Sequence, residues 1–115
     1  MTTPHTIEVV NEATWRDLTT LAEGDPEFLP KLLHGFIETS SRRLSGLRTS
    51  EEAETSELAH ALKGASRQLG ADALAEICER IEYHPEERDT LLAALEDELD
   101  RTRAALLERT EGLGG

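Results

Sequence analysis

The sequence predicts an all-α protein, an antiparallel up-and-down four-helix bundle with an additional short N-terminal helix. Apolar residues recur at helical spacing through most of the chain. The only strand-like alternation, at residues 7–10, is too short and too close to the end to found a sheet. Short connections favour antiparallel neighbours. We expect a loose N-terminal arm over residues 1–10, the bundle over 11–109 and a loose C-terminal tail over 110–115.

The first predicted helix is short and amphipathic. It begins after Asn11, a residue type favoured at N-caps, and runs to about Ala22. Gly24 then ends it. One face carries the apolar residues Trp15, Leu18 and either Leu21 or Ala22.

The second predicted helix opens with Asp25 as N-cap and Pro26 at the first helical position. Its apolar stripe begins at Phe28, and the helix decays near residues 46–48. Pro30 either lies in the first turn or delays the start of the helix by about four residues, because a proline cannot donate a helical hydrogen bond.

The third predicted helix is capped by Thr49 or Ser50 and ends at Gly70. Thr49 and Glu52 have the spacing of a capping box, in which each side chain bonds the other's backbone N–H. This helix contains the most informative segment of the chain.

Two further helices complete the predicted bundle. The fourth spans about residues 71–83 and places Cys78 on its apolar stripe. The pair His84-Pro85 ends it, and the fifth helix spans about residues 86–109. Its apolar positions repeat at the 3-4 spacing of a bundle seam, at Leu92, Leu95, Leu99, Thr102 and Leu106.

Composition excludes several classes of function. The 115-residue chain has a net charge of −12 and no basic stripe, which argues against nucleic acid and against anionic membrane surfaces. It has neither an apolar run of transmembrane length nor a recognisable signal peptide. The single cysteine cannot form an internal disulfide. These features predict a cytoplasmic protein.

One face of the third helix gathers the polar residues that carry chemistry. At about 100° per residue, Lys63, Gly64 and Arg67 lie close to the stripe of His60, and this face is predicted to be exposed. The opposite face carries Leu58, Leu62, Ala65 and Leu69. The arrangement suits an imidazole that a partner protein must reach.

Gly64 is unexpected inside a helix, where glycine costs about 1 kcal/mol relative to alanine. It either clears space for another protein to approach His60 or is a notch for a neighbouring helix. Spacing alone leaves both interpretations open.

The segment resembles the histidine phosphotransfer (HPt) domains of bacterial multistep phosphorelays. Their motif is His-x-Leu-Lys-Gly, followed by small residues and Gly-Ala. This chain reads His60-Ala61-Leu62-Lys63-Gly64-Ala65-Ser66 and then Gly70-Ala71. The flanking helices also fit, so the resemblance covers about residues 8–108.

The resemblance implies that His60 is a phosphoacceptor, modified on its outer ring nitrogen. By its position one turn away, Lys63 can offset the added negative charge, and Gly64 would leave room for the partner. Arg67 either contacts the phosphoryl group or an acidic surface of the partner, or is a solvated surface arginine. The implied partners are response-regulator receiver domains and hybrid histidine kinases. A receiver brings the aspartate and its Mg²⁺, so the chain needs no cofactor or metal of its own and is a phosphocarrier rather than an autonomous enzyme.

The remaining candidates receive structural interpretations. Glu57 and Glu82 could orient the His60 ring, although acidic neighbours are common on a charged helical surface. Cys78 is expected in the core, and no spacing in the sequence indicates a metal site. The other histidines, His5, His34 and His84, are expected at the surface or in loose segments.

Two functional hypotheses remain. The first is a stand-alone phosphocarrier, expected to be a monomer. The competing one is a helical interaction module that scaffolds or sequesters a receiver and is never phosphorylated. A fragment of a larger hybrid kinase is a further alternative, although Met1 and the plain chain ends favour an intact small protein.

Overall fold

Five helices make up the part of the chain that the structure, a computed structural model, describes, namely residues 9–113. They are α1 (Glu12–Leu21), α2 (Phe28–Thr49), α3 (Glu52–Gln68), α4 (Asp72–Tyr83) and α5 (Arg88–Leu113), with one 3₁₀ turn at Pro85–Glu87. No strand occurs among these residues, so the all-α prediction is confirmed. None of the described helices is long and apolar enough to cross a membrane.

Helices α2 to α5 form the predicted four-helix bundle. Each packs on its neighbours in the chain, α2 also packs on α5, and the contact between α3 and α4 is the most extensive. The connections between successive helices are two to four residues long, which makes neighbours antiparallel. The core is built mainly from buried leucines, including Leu33, Leu47, Leu62, Leu74, Leu95, Leu99 and Leu106.

Helix α1 covers the end of the bundle where α3 ends and α4 begins. Asn11 is its N-cap, as predicted, and its side chain accepts hydrogen bonds from the backbone N–H groups two and three residues on. The Asn11 backbone N–H donates to the Gly70 carbonyl at 2.7 Å, and its side-chain amide donates to Asp72 at 3.0 Å. Trp15 is buried beneath this helix. The cap residue therefore joins α1 to the turn between α3 and α4.

Helix α2 begins later than predicted. Asp25 is not its N-cap: the Asp25 side chain accepts from the Glu27 N–H at 3.0 Å, within a turn, and the helix begins at Phe28. Pro30 therefore lies in the first turn of the helix, where backbone N–H groups have no intrahelical partner. Both alternatives considered for this proline apply in part, since the start is delayed and the proline is in the first turn.

The cap predicted for α3 is also wrong. Thr49 is the last residue of α2 and Ser50 follows it, so neither can cap α3, and Glu51 occupies the N-cap position without a side-chain hydrogen bond. The predicted capping box between Thr49 and Glu52 is therefore absent. The oxygen atoms of Ser50 instead bind Arg88, whose guanidinium donates to the Ser50 carbonyl and ties α5 to this turn.

The two predicted loose ends differ from the structure. Val10 is only 3% exposed and belongs to the core, so the predicted arm over residues 1–10 is wrong at its inner end. Residues 1–8 lie outside the described residues. Helix α5 continues to Leu113 rather than ending at Arg109. The predicted tail is therefore wrong for residues 110–113, while 114 and 115 lie outside the described part.

Arg109 anchors the end of α5 on α1. Its guanidinium forms an ion pair with Glu12 and lies over the ring of Trp15, 5.5 Å from the ring centroid. This pairing with Arg109 lowers the pKa of the Glu12 carboxyl. The C-terminal half of α5 thus holds the short helix against the bundle.

Candidate functional site

The amphipathic pattern of α3 places His60 at the surface. Ala59, Leu62 and Leu69 on the inner face are fully buried or nearly so. The His60 side chain is 68% exposed. The exposure predicted for this histidine is therefore confirmed, and the ring lies at the edge of α3 that faces α4.

Glu82 on α4 holds the His60 ring. Its Oε2 atom lies 2.8 Å from His60 Nδ1. An ionised carboxylate can only accept a hydrogen bond, so Nδ1 carries the proton and donates it. The neutral ring then presents the lone pair of Nε2, the outer nitrogen. The contact thus fixes both the orientation and the tautomer of the imidazole.

Lys63 contradicts its predicted exposure. The residue is only 7% exposed, and its ammonium lies 2.6 Å from Glu82 Oε1 and 3.9 Å from Glu79. The ammonium also lies 5.4 Å from the centroid of the Tyr83 ring. Lys63 is displaced by about 60° from His60 around the helix, enough to turn it from solvent toward α4. Its aliphatic stem is buried while its charge reaches partners at the edge of the interface.

The carboxylate of Glu82 is shared between these two residues. Its hydrogen bond with Lys63, and then that with His60, lowers the pKa of the Glu82 carboxyl. The same carboxylate raises the pKa of Lys63. Both groups are therefore charged at neutral pH. The Ser56 hydroxyl donates to the Glu82 backbone carbonyl at 2.8 Å, which fixes this turn of α4 against α3.

Arg67 lies at the solvent edge of the same interface. Its side chain is 53% exposed, and its Nη2 atom lies 2.8 Å from Glu79 Oε2. Glu79 therefore has cations on two sides, Arg67 and Lys63. As predicted, Arg67 is exposed on the face of His60. Its carboxylate partner Glu79 was not predicted.

Gly64 is exposed, and a Cβ atom built on it meets nothing within 4 Å. No described side chain packs into the space beside this glycine. The interpretation of Gly64 as a notch for a neighbouring helix is therefore wrong. The open space borders the exposed edge of His60, one helical turn away.

The register of the α3–α4 hairpin explains how the site assembles. His60 and Glu82 each lie 11 residues from Ala71, the N-cap of α4 in the turn, and Lys63 and Glu79 each lie eight residues from it. Antiparallel helices joined by a tight turn bring such symmetric pairs side by side. From the sequence alone Glu57 and Glu82 are equal candidates. The register of the hairpin selects Glu82, and no hydrogen bond or ion pair joins Glu57 to the ring among the described contacts.

The other histidines lie away from the site or outside the described residues. His34 is 84% exposed beside Glu38, and His84 is 56% exposed after the end of α4, as expected; His5 lies outside the described part. The Cys78 side chain is fully buried, and burial raises the pKa of its thiol to about 12. It is a core residue, as predicted.

One group of described residues brings possible metal ligands together. His84, Glu86 and Glu87 place one ligand atom each within 4.8 Å of one another. These exposed side chains already pair among themselves, and Glu87 also pairs with Arg80. Nothing else in their surroundings indicates an ion, and the absence of a metal site stays a prediction.

The geometry favours group transfer to an approaching molecule. The site offers one accessible nucleophile, the Nε2 lone pair of His60, backed by a carboxylate that can stabilise positive charge on the ring. Open space at Gly64 allows a second surface to come close. An electrophile carried by another molecule is what this arrangement can receive.

Comparisons with known proteins give a family match and a similar fold. The family model described as "Hpt domain" matches residues 31–105. The fold is similar to the crystal structure of the histidine-containing phosphotransfer protein B (HptB) from Pseudomonas aeruginosa PAO1, with a TM-score of 0.79 and 23% sequence identity over 92% of this chain and 97% of that one. At this identity the likeness shows the fold alone. No curated protein matches the sequence.

Proposed function

The chain belongs to the Hpt domain family, and from this premise we propose that it is a phosphocarrier in a two-component phosphorelay. His60 accepts a phosphoryl group from the aspartate of one receiver domain and passes it to the aspartate of another. The observation that carries the proposal is the 2.8 Å contact between His60 Nδ1 and Glu82, which leaves Nε2 free and exposed. Histidine phosphotransfer is the role that the family implies.

The two nitrogens of the ring have separate tasks in the transfer step. Nε2 attacks the phosphorus of an aspartyl phosphate, an N–P bond forms, and the P–O bond to the aspartate breaks, releasing its carboxylate. The ring then carries a positive charge, with the proton retained on Nδ1, and Glu82 offsets this charge at 2.8 Å. Attack by the aspartate of a second receiver reverses the same bonds.

The three neighbouring residues of α3 keep the roles implied for them, with one change. Lys63 offsets the charge of the phosphoryl group from the α4 side of the ring, where Glu82 holds its ammonium. Gly64 leaves room for the receiver surface. Arg67, exposed and beside Glu79, contacts the partner. The receiver supplies the Mg²⁺ that the reaction needs.

The proposed function also specifies the partners, the cellular location and the oligomeric state. The partners are response-regulator receiver domains and hybrid histidine kinases, and the chain works as a cytoplasmic monomer without binding nucleic acid or membranes. The net charge of −12 supports the absence of nucleic-acid and membrane binding, because both of those surfaces are anionic. The competing function is a helical interaction module that scaffolds or sequesters a receiver without being phosphorylated.

The deciding experiment incubates the protein with receiver domains from the same genome, phosphorylated with radiolabelled acetyl phosphate. The wild type should gain an acid-labile, alkali-stable label, and His60→Ala should gain none. His34→Ala is the matched control, because it removes an exposed histidine elsewhere on the bundle, and it should be labelled like the wild type. A receiver that binds the wild type and His60→Ala equally, with no label on either, would support the competing module instead.

A further inference from the structure

We propose that the groove between α2 and α3 is a specificity surface that selects partners presenting an acidic, amphipathic helix. Its ends carry Lys31 and Arg43, and Gly35 leaves its middle open, since a Cβ atom built there meets nothing within 4 Å. The proposal rests on the phosphocarrier function, because it assumes that a partner docks beside His60. It adds a claim about which partner surfaces this chain accepts.

The first observation is the charge of the groove. The chain has 24 acidic and 12 basic residues, yet none of the described residues that line this groove is acidic, and two are basic. No described carboxylate pairs with Arg43. Lys31 pairs only with Glu27, at 3.3 Å and with both side chains more than 70% exposed, a contact worth little in water. The groove is therefore a cationic surface on a strongly acidic molecule.

The second observation is a glycine that the fold does not need. Gly35 lies inside α2, where glycine costs about 1 kcal/mol relative to alanine. A Cβ atom built on it meets nothing within 4 Å, and its φ is not positive. Neither packing nor backbone conformation explains it. Close approach of a partner's backbone to this surface explains the glycine. The same explanation is given above for Gly64 on α3.

The third observation is the position of the groove relative to His60. Arg43 Nη1 donates to the backbone carbonyl of Ala61, the residue after His60, at 3.5 Å. On α2 the lining residues Lys31, Gly35, Thr39 and Arg43 recur every four residues and form one stripe. A partner lying along this stripe would reach from the level of His60 toward the C-terminal end of α3.

The dimensions and charges define the occupant. Lys31 and Arg43 are twelve positions apart, which corresponds to about 18 Å along a helix. The cavity of about 320 Å³ has room for a few side chains and not for a whole helix. The matching partner element is therefore a helix of about three turns that lies on the surface, with carboxylates near both ends and one or two small apolar side chains between them.

The test compares charge reversals inside and outside the groove. Arg43→Glu and Lys31→Glu invert its ends, and Arg42→Glu makes the same change at the adjacent exposed position, outside the groove. The rate of phosphoryl transfer from a receiver phosphorylated with acetyl phosphate is measured against receiver concentration. We expect the groove variants to lower kcat/KM by about tenfold through KM, with kcat unchanged. Arg42→Glu should behave like the wild type.

A glycine series tests the close approach. Gly35→Ala should preserve docking or weaken it slightly, and Gly35→Leu should raise KM strongly while helicity, followed by circular dichroism, stays at or above that of the wild type. All variants should take phosphate equally well from phosphoramidate, a small donor that needs no docking surface. This control separates the groove from the chemistry of His60.

Each outcome decides between the proposals. Equal losses for Arg42→Glu and Arg43→Glu would indicate general attraction by charge and overturn the groove, as would unchanged KM values for both groove variants. If no receiver labels the wild type, the phosphocarrier function fails. Calorimetric binding of unphosphorylated receivers to the same variants then decides the groove alone, and no binding to the wild type overturns it.

Discussion

Glu82 determines what the exposed histidine can do. Its two carboxylate oxygens contact different residues, Oε2 the ring of His60 and Oε1 the ammonium of Lys63. The side chain is only 15% exposed, so water competes weakly for it. One ionised carboxylate therefore sets the tautomer of the nucleophile and positions the nearest cation.

We expect Glu82→Gln to slow phosphoryl transfer to His60 by about fivefold, because one hydrogen bond contributes about 1 kcal/mol net. An amide can donate to Nδ1 as well as accept from it, so the fixed tautomer should be lost. Nitrogen-15 NMR of the ring measures this directly: the wild type should show the proton on Nδ1, and the variant a mixture. An unchanged ring spectrum would contradict the role assigned to Glu82.

The same variant has a predicted pH dependence. The pKa of Glu82 is lowered in the folded protein, chiefly by Lys63. Its contribution to stability is therefore present above the carboxyl pKa of the unfolded chain, about 4.3, and is lost as the pH falls through the folded-state pKa. The difference in urea midpoint between the wild type and Glu82→Gln should shrink over that acidic range. Glu82→Ala should be less stable than Glu82→Gln near pH 7, since it leaves Lys63 only the more distant Glu79 carboxylate, at 3.9 Å.

Residue positions were predictable where they depend on α3 alone. The period of the helix correctly places His60, Gly64 and Arg67 at the surface. It fails for Lys63, because the angle on the helix does not say where α4 packs. Which of several nearby carboxylates meets the ring likewise depends on the register between two helices.

The contact between α1 and the α3–α4 turn depends on Gly70. Its φ of +76° lies in the left-handed region, and a Cβ atom there would come within 2.9 Å of the Thr14 Cβ and 3.2 Å of the Asn11 backbone nitrogen. These atoms belong to α1 and its cap. Gly70 thus serves both as the end of α3 and as the surface on which α1 rests.

Gly70→Ala should destabilise the protein by more than the conformational penalty alone. The left-handed backbone costs a non-glycine residue about 1–2 kcal/mol, and the contact with α1 adds to it. Gly24→Ala is the matched control, with a φ of +86° and nothing within 4 Å of the Cβ position. The free energy of unfolding in urea should fall for both variants and fall further for Gly70→Ala. Equal losses would show that α1 moves away from residue 70 without lowering the free energy of unfolding.

The boundaries of elements were predictable where one local device sets them. Asn11 caps α1 and Gly70 ends α3 with a positive φ, both as sequence rules expect. Asp25, Thr49 and Ser50 have the right side chains for caps and do not act as such. Asp25 instead accepts a hydrogen bond within a turn, and Ser50 accepts one from Arg88. The residues next to them in the sequence indicate neither contact.

At the scale of the whole molecule, the bundle encloses one thiol. Cys78 is the only cysteine of the chain, its side chain is fully buried on α4, and burial raises its pKa to about 12. A neutral, enclosed thiol is a poor nucleophile. It therefore serves as a reporter for opening of the core.

We expect Cys78 in the native protein to resist a chromogenic disulfide reagent at pH 8, and to react in parallel with urea unfolding followed by circular dichroism. Because the unfolded thiol ionises near pH 8.5 and the folded one only near 12, the stability that Cys78 contributes should be lost as the pH rises through that range. Cys78→Ala should lack this component of the pH dependence. Rapid reaction of the native protein at pH 8 would mean that the core opens without global unfolding.

The fold class and the four-helix arrangement were predictable because the apolar spacing is helical and the connections are short. The length of α5 and the burial of Val10 were not, since both depend on contacts between distant parts of the chain. Arg109, for example, reaches Glu12 across 97 residues.

The α3–α4 hairpin has a consequence for the order in which parts of the molecule come apart. The site is local in sequence, since Glu82 lies 22 residues from His60, whereas the contacts that hold α1 span 61 residues at Asn11–Asp72 and 97 at Glu12–Arg109. The entropic cost of closing the shorter loop, expressed as a free energy, is smaller by about 1 kcal/mol. A fluctuation that frees α1 and the end of α5 breaks none of the contacts among His60, Lys63 and Glu82. His60 can therefore keep its ring orientation and tautomer while the end of the bundle that α1 covers opens locally.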